Sequence, residues 1–395
     1  MSELVQDRQR AGAAGGPAVV FAGGGSGGHL IPGVGLAHEI QRQRSDARFL
    51  FLRGPRQIEG LVLESAPGET RRLKGMNAPC GWRGRMIFAA ALPALLARSM
   101  RILRRFDADT VVGLGGYGAV PAVLAGRALG LNVVLLEQNA RPGLATRLLG
   151  PLAHAVCCAF PETAAQFLNG RATGNPVRPP PAAGNREAAC RRFALSPERC
   201  TLLVVGGSQG ARGLNRLVCA GLAALASEGD ALQVLHLAGQ ADRAWVERAY
   251  AARGMVARVE AFVPDMALAY RVADAVVSRA GGTTLAELAI AGLPAVLVPY
   301  PHHRDRHQYE NARVFVDAGA AFLLPEESAD VAAFARTAGR LVGDRALRAA
   351  MARAAGGLAR PDAARRIVDV MANGRGGARA EAPGAPADEA GVARW

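Results

Sequence analysis

The chain reads as an α/β protein built from two doubly wound parallel sheets that face each other across a cleft. Three observations predict this. Short runs rich in Val, Leu and Ile alternate with longer helical stretches, once before residue 178 and again after residue 201. The proline-rich segment NPVRPPPAAGNREA (175–188) separates the two series. Glycine clusters stand directly after several strand runs. Strands that are apolar throughout belong to parallel sheets covered on both faces. Ligands of such sheets bind at the carboxyl ends of the strands, where these glycines lie.

Taken in order, residues 1–16 form a polar Gly/Ala-rich tail, and the first domain is expected over 17–178. Its strand candidates are PAVVFAG, ARFLFLRG, DTVVGLGG and LNVVLLEQN, with the helical HLIPGVGLAHEIQRQR after the first. Residues 179–200 are expected as linker, since proline and glycine break both periodicities. The second domain, 201–372, restarts with TLLVVGGSQGARGLNRLV and continues through LQVLHLAG, ARVEAFV, ADAVVSRAGG and LPAVLVPY. The last stretch, 373–395, is low in complexity and expected to be disordered.

Composition narrows the function. With 395 residues and 50% hydrophobic content, there is ample material for two cores. The net charge is +14, yet Lys74 is the one lysine. An arginine excess of this kind fits a GC-rich genome as well as a nucleic-acid partner, so charge placement has to decide. No nucleic acid is expected. Six cysteines (80, 157, 158, 190, 200, 219) form no CxxC pair, which speaks against a zinc site or a secreted disulfide framework. The N-terminus lacks the apolar core of a signal peptide. The longest apolar run, 86–97, falls short of the roughly 18–20 residues that span a bilayer.

The first glycine cluster, GGGSGGH (23–29), follows the strand AVVFA. Glycines there let backbone N–H groups approach an anion at a helix start whose dipole favours negative charge. No Gly-Lys-Ser/Thr follows, so it is not a Walker loop, and FLFLRG ends in Arg53 where a dinucleotide fold needs an acid. A tight structural turn is the alternative. His29 at this mouth is a candidate general base, a capping or core histidine being the alternative. Gly115, Gly116 and Gly118 end a second strand, and GGSQGAR (206–212) ends a third. In RAGGTTLAE (279–287) a Gly-Gly-Thr-Thr run opens a helix and offers N–H groups to a diphosphate without a metal. Glu287 lies a turn further on, within reach of ribose hydroxyls, with a solvated or capping carboxylate as the alternative. His302, His303 and His307 crowd one loop, but no cysteine or carboxylate cluster supports a metal there. Cys157 and Cys158 sit in an apolar run and are expected as packing residues.

GGGSGGHLIP, GGYGAVPAVLAG, EQNARPGLATRLL, GNPVR, VVGGSQGARGLN and SRAGGTTLAELAIAGLPAVLVPY, then DRHQYENA, occur in that order. Together they resemble the MurG family, the N-acetylglucosaminyltransferases that form the lipid-linked disaccharide of peptidoglycan synthesis. The resemblance spans about residues 17–370. It implies a GT-B fold of two Rossmann-like domains, UDP-N-acetylglucosamine as donor and undecaprenyl-diphospho-muramoyl-pentapeptide as acceptor. The implied reaction is an inverting displacement by the acceptor C4 hydroxyl, with no metal or other cofactor required. By resemblance, Ser26, Gly27 and Gly28 lie near the donor sugar and acceptor diphosphate, and His29 is the base. Asn139 contacts the donor sugar, Arg178 and Ser208 the phosphates, and the backbone of Val263 the uracil. Gly282, Thr283, Thr284, Leu285 and Ala286 form the helix start, Glu287 holds the ribose and Gln308 the sugar. Ser26 stands where threonine is more usual, and SRAGGTT replaces an SRSGA-type stretch. The PHHRDRHQ loop reads one residue longer, leaving His307 as the alternative to Gln308; the spacing to Asn311-Ala312 favours Gln308.

A polyprenyl-linked acceptor implies an anionic membrane surface as partner, at the cytoplasmic face of the inner membrane, and proteins of the cell-wall and division machinery as further partners. Residues 71–106 hold nine basic side chains and no carboxylate, interleaved with Trp82, Met86, Ile87, Phe88, Leu92, Leu95 and Leu96. That segment is the expected membrane contact, an ordinary sheet-packing helix being the alternative. Rival functions are a glycolipid synthase acting on diacylglycerol, a nucleotide-sugar 2-epimerase and a catalytically silent UDP-sugar binder.

Overall fold

The computed structural model describes residues 16–24, 27–73, 81–177, 185–206, 211–223, 232–301 and 306–374. The first half runs β1 (Ala18–Ala22), α1 (Gly27–Gln43), β2 (Arg48–Arg53), α2 (Gln57–Leu63), β3 (Glu69–Arg72), α3 (Gly81–Phe106), β4 (Thr110–Gly113), α4 (Val120–Ala128), β5 (Asn132–Glu137), α5 (Leu144–Leu149), β6 (Ala155–Cys158), α6 (Pro161–Ala164) and β7 (Gly170–Ala172). After α7 (Arg186–Phe193) come β8 (Cys200–Val205), α8 (Arg212–Ala223), β9 (Leu232–Leu237), α9 (Arg243–Ala251), β10 (Ala257–Glu260), α10 (Met266–Val272), β11 (Ala275–Ser278), α11 (Gly282–Ala291), β12 (Ala295–Leu297), α12 (His307–Asp317) and β13 (Ala321–Leu323). Three helices follow: α13 (Val331–Gly343), α14 (Arg345–Gly357) and α15 (Ala363–Asn373).

Two all-parallel sheets result, in the orders β3-β2-β1-β4-β5-β6-β7 and β10-β9-β8-β11-β12-β13. In each, the strand order reverses beside the first strand of the series, which opens a crevice at the carboxyl edge. Gly23 and Gly24 after β1, Gly115 and Gly116 after β4, and Gly281 and Gly282 after β11 lie there. Strands β1, β4, β5 and β11 are buried along their whole length, as their unbroken apolar composition requires. Each sheet separates two cores. On one face of the first, Leu103, Phe106, Ala122, Val123 and Leu149 pack together; on the other, Leu30, Leu36 and Ile40 meet Phe21 and Phe51.

Three features differ from the sequence-based expectation. Within the stretch read as linker, Asn185 caps α7 by accepting the Glu187 N–H at 2.6 Å, and Ala189, Cys190 and Phe193 are buried in the second core. The prolines end at 181, so a helix after them meets no obstacle. The last helix, α15, crosses back: Ile367 and Met371 join the core of the first half, and Asn132 Nδ2 donates to the Met371 carbonyl at 3.0 Å. Its apolar stripe names no partner in sequence, which is why this return was not foreseen. Finally, α3 is 26 residues long and, by length and composition, apolar enough to cross a membrane, although its apolar run is shorter. Leu103 and Phe106 fasten its second half to the core on the sheet, whereas Trp82, Met86 and Ile87 are 64–72% exposed.

Candidate functional site

The chemistry-bearing residues meet where the two carboxyl edges approach. Helix α1 starts at Gly27 directly after the first glycine run, and this places His29 in its first turn. The His29 ring is half-buried, with Nδ1 3.4 Å from the Gly24 carbonyl. Gly115 and Gly116, both with positive φ (94° and 70°), form the wall beside the ring. A Cβ on Gly116 would stand 3.2 Å from the Gly24 oxygen, so a side chain there would crowd the loop as well as strain the backbone. Burial lowers the His29 pKa below its usual value. The Glu137 carboxylate and the Gly24 carbonyl oppose that shift, and His307 adds to it. The net result is a ring that stays neutral near pH 7, as a proton acceptor must.

Glu137 ends β5 and is itself held in place. Its Oε1 accepts from the Asn139 N–H (3.1 Å) and Nδ2 (3.0 Å), and its Oε2 from the Gly143 N–H (3.0 Å). The buried carboxylate thus shapes the turn that presents Asn139. Asn139 Oδ1 in turn accepts from Asn311 Nδ2 at 3.0 Å, and Asn311 Oδ1 accepts the Ala140 N–H at 2.7 Å. Asn311 belongs to α12 in the second half, so this buried amide ties the halves together.

The start of α11 supplies a second tie. The Thr283 hydroxyl donates to the Gly28 carbonyl at 2.6 Å and accepts from Asn175 Nδ2 at 3.3 Å. A Cβ on Gly282 would lie 2.0 Å from the Gln138 carbonyl oxygen, so only glycine permits this approach. Gly282 and Thr283, expected as a diphosphate platform, therefore touch the first half in this structure. Thr284 is half-buried one residue on, and Leu285 is buried in the second core with Val263 and Tyr270. Ala286 lines a cavity of about 190 Å³ at the junction, with Phe160, Pro161, Asn175, Phe315 and Arg360.

Glu287 Oε2 accepts from the Tyr270 hydroxyl at 2.7 Å. Burial pushes its pKa up to about 7 against the lowering effect of that hydrogen bond. It is a carboxylate that gains from further donors such as ribose hydroxyls. Gln308 opens α12, and its Oε1 accepts the Tyr300 N–H at 2.9 Å, which pins the loop behind the helix. His307 sits beside it, near enough to His29 to affect its charge. Gly27 and Gly28 begin α1; Ser26, Arg178 and Ser208 lie outside the described residues, as do His302 and His303. Sequence reasoning missed Glu137 and Asn311. The signal for the first was a carboxylate closing an otherwise apolar strand, and both lay inside quoted motifs.

Comparison with known proteins agrees with this geometry. The glycosyltransferase family 28 N-terminal domain matches residues 19–158 and its C-terminal domain residues 201–367. The UDP-N-acetylglucosamine–N-acetylmuramyl-(pentapeptide) pyrophosphoryl-undecaprenol N-acetylglucosamine transferase of Anaeromyxobacter dehalogenans is 40% identical over 363 residues, 89% of this chain and 91% of that protein. The crystal structure of Acinetobacter baumannii MurG superposes with a TM-score of 0.69 at 28% identity, over 90% of this chain and 99% of that one. A putative UDP-N-acetylglucosamine 2-epimerase from Listeria monocytogenes superposes at 0.66 over 90% and 96% of the two chains, but at 12% identity it shares the fold alone. The paired sheets are thus the GT-B arrangement, and the near-complete match in sequence assigns the chain to the MurG family of N-acetylglucosaminyltransferases.

Proposed function

We propose that the cleft moves N-acetylglucosamine from UDP-N-acetylglucosamine to the C4 hydroxyl of lipid-linked N-acetylmuramoyl-pentapeptide, with His29 as the base. The acceptor oxygen forms its bond to the anomeric carbon from the face opposite the departing UDP, so the configuration inverts. The anomeric C–O bond to the diphosphate breaks, and the hydroxyl proton passes to His29. A neutral tautomer whose Nδ1–H points to the Gly24 carbonyl presents Nε2 as the accepting nitrogen. Glu137 then favours the imidazolium as it forms. The leaving diphosphate is stabilised by Ser208 and Arg178, while the α11 start, packed on the first half through Gly282 and Thr283, contributes the field of its helix dipole rather than direct contacts from those two residues. Glu287 takes the ribose, the backbone at Val263 the uracil, and Asn139 and Gln308 the sugar.

The observation that carries this reading is the Thr283–Gly28 hydrogen bond, because it brings the helix start bearing Glu287 against the helix start bearing His29. A donor held by one half and a base held by the other then face one reaction centre. Radiolabelled UDP-N-acetylglucosamine incubated with lipid-linked muramoyl pentapeptide tests it, followed by organic extraction. Label in the lipid phase is expected. Label transferred to diacylglycerol, or release of 2-epimerised sugar without transfer, would replace this reading with one of its rivals.

The acceptor's polyprenyl chain stays in the bilayer, so the enzyme works as a peripheral protein on the cytoplasmic membrane face. The exposed Trp82, Met86 and Ile87 at the start of α3 suit that contact, with exposed Arg83, Arg98 and Arg101 on the same helix for anionic headgroups.

A further inference from the structure

A buried acid that the reaction described above does not use lies against the first glycine run. Strand β2 ends in Arg53, and the acid comes from the helix that follows. Glu59, in the first turn of α2, is 1% exposed. Its carboxyl group packs against the glycines that follow β1 and β2. A Cβ on Gly24 would stand 2.9 Å from Glu59 Oε1 and 3.3 Å from the Gly54 nitrogen. A Cβ on Gly54 would stand 3.1 Å from each Glu59 carboxyl oxygen. Neither glycine has a positive φ, so the carboxyl group, and not the backbone angle, excludes a side chain there.

We propose that Glu59 is a positioning residue for the transfer: by confining Gly24 it holds the carbonyl that sets the tautomer and tilt of the His29 ring. The proposal rests on the reading of His29 as the base and deepens it. The Gly24 carbonyl faces His29 Nδ1 at 3.4 Å, and a proton kept on Nδ1 leaves Nε2 to accept. That contact is long for a hydrogen bond, so a small drift of the Gly24 peptide breaks it. A glycine has no side chain of its own to anchor it, and its place must be imposed by neighbours. Three neighbours do so. The Gly23 N–H donates to the Leu52 carbonyl at 3.3 Å, Gly116 borders the Gly24 carbonyl, and Glu59 fills the space beside the Gly24 α-carbon. Burying a carboxyl group costs stability that an apolar side chain of like size would not. The carboxylate whose charge acts on the ring is Glu137, so Glu59 contributes shape and place.

Three variants of the full chain test this. Glu59→Ala empties the space beside Gly24, Glu59→Asp withdraws the carboxyl group by one methylene, and Glu59→Gln keeps its length and shape. With lipid-linked acceptor, kcat is expected to fall about 10²-fold in Glu59→Ala and about tenfold in Glu59→Asp, at unchanged donor KM. Glu59→Gln should recover most of the rate. Adding Glu59→Ala to His29→Ala should cost nothing further, because residues that act as one unit are not additive. Nitrogen resonances of isotope-labelled histidine give a readout independent of turnover. They should show one His29 tautomer, protonated at Nδ1, in the wild type and a mixture in Glu59→Asp. Wild-type kcat and unchanged ring signals in Glu59→Asp and Glu59→Ala would overturn the proposal and leave the base reading intact. So would a full additive loss in the double variant, or a raised donor KM at wild-type kcat. A near-normal kcat in His29→Ala would overturn the base reading, and this proposal with it.

Discussion

His29 and His236 show how one residue type serves two ends in the same chain. Both rings have their pKa lowered by burial, His236 to about 3. His236 is enclosed in the second half, with Nδ1 2.8 Å from the Tyr250 hydroxyl and Nε2 3.0 Å from Asn215 Oδ1. Asn215 passes the network on to Asp242, which also binds Arg212 at the start of α8. Every ring atom able to hydrogen-bond is spent on a fixed protein partner, so this histidine organises a core. His29 lies instead at the edge where two halves meet, half-buried, beside a carboxylate and a second histidine. A depressed pKa alone therefore does not mark a catalytic group. Location at a seam, with a charge arranged to stabilise the protonated ring, makes the distinction.

Removing each ring should separate the two roles. His29→Ala is expected to lower kcat by about 10²–10⁴ with little change in donor KM, since it deletes proton transfer and not binding. Steady-state kinetics at saturating acceptor check this, and a near-normal kcat would reduce His29 to a structural cap. His236→Leu should leave kcat of the folded protein unchanged but cost about 2–4 kcal/mol of stability. It strips a partner from the Tyr250 hydroxyl and from Asn215 inside a core. Urea unfolding measures the loss; if the variant is as stable as wild type and slower in turnover, the comparison collapses.

Much of this was legible before the fold was known, and the boundary of legibility is physical. Parallel strands such as AVVFA and NVVLLE announce themselves because burial on both faces demands unbroken apolar runs. His29 and Glu287 stood out because glycines at strand ends mark where ligands approach. Asn311 did not, because its meaning lies in a partner 171 residues away, the Ala140 N–H, and periodicity carries no information about such pairs. Thr283 was visible as a helix start, yet its hydroxyl serves the junction with Gly28. The return of α15 to the first core was hidden for the same reason: an amphipathic stripe states that it must be covered, not by what.

Glu287 extends the comparison to a carboxylate that, like His29, sits near the seam and titrates away from its usual range. With its pKa at about 7, it is only partly ionised at neutral pH before a nucleotide binds. Ribose hydroxyls donate to the ionised form, so UDP affinity should rise as pH passes upward through that value. Glu287→Ala should weaken UDP binding by about 1.5–3 kcal/mol at pH 8, and Glu287→Gln should abolish the extra pH dependence relative to wild type. Calorimetric titration with UDP reads both. Unchanged affinity in the alanine variant would remove Glu287 from the ribose site.

Acid should finally divide the two histidines by observable. The folded pKa of His236 lies at about 3, below the ordinary histidine value, so the ring is neutral in the native state and charged in the unfolded one at mildly acidic pH. Its stabilising contribution is therefore complete above the unfolded pKa and is lost as pH falls from about 6.5 towards 3, at roughly 1.4 kcal/mol per pH unit. His236→Leu should remove that one-proton slope from the pH dependence of unfolding free energy. His29, also depressed and proposed as the base, should appear instead in the rate. The acid limb of the kcat–pH profile is expected below the usual histidine value, because only the neutral ring accepts the proton. A kcat limb that moves with His236→Leu, or a stability slope that moves with His29→Ala, would mean that the core and the seam are one coupled unit and that the contrast between them is false.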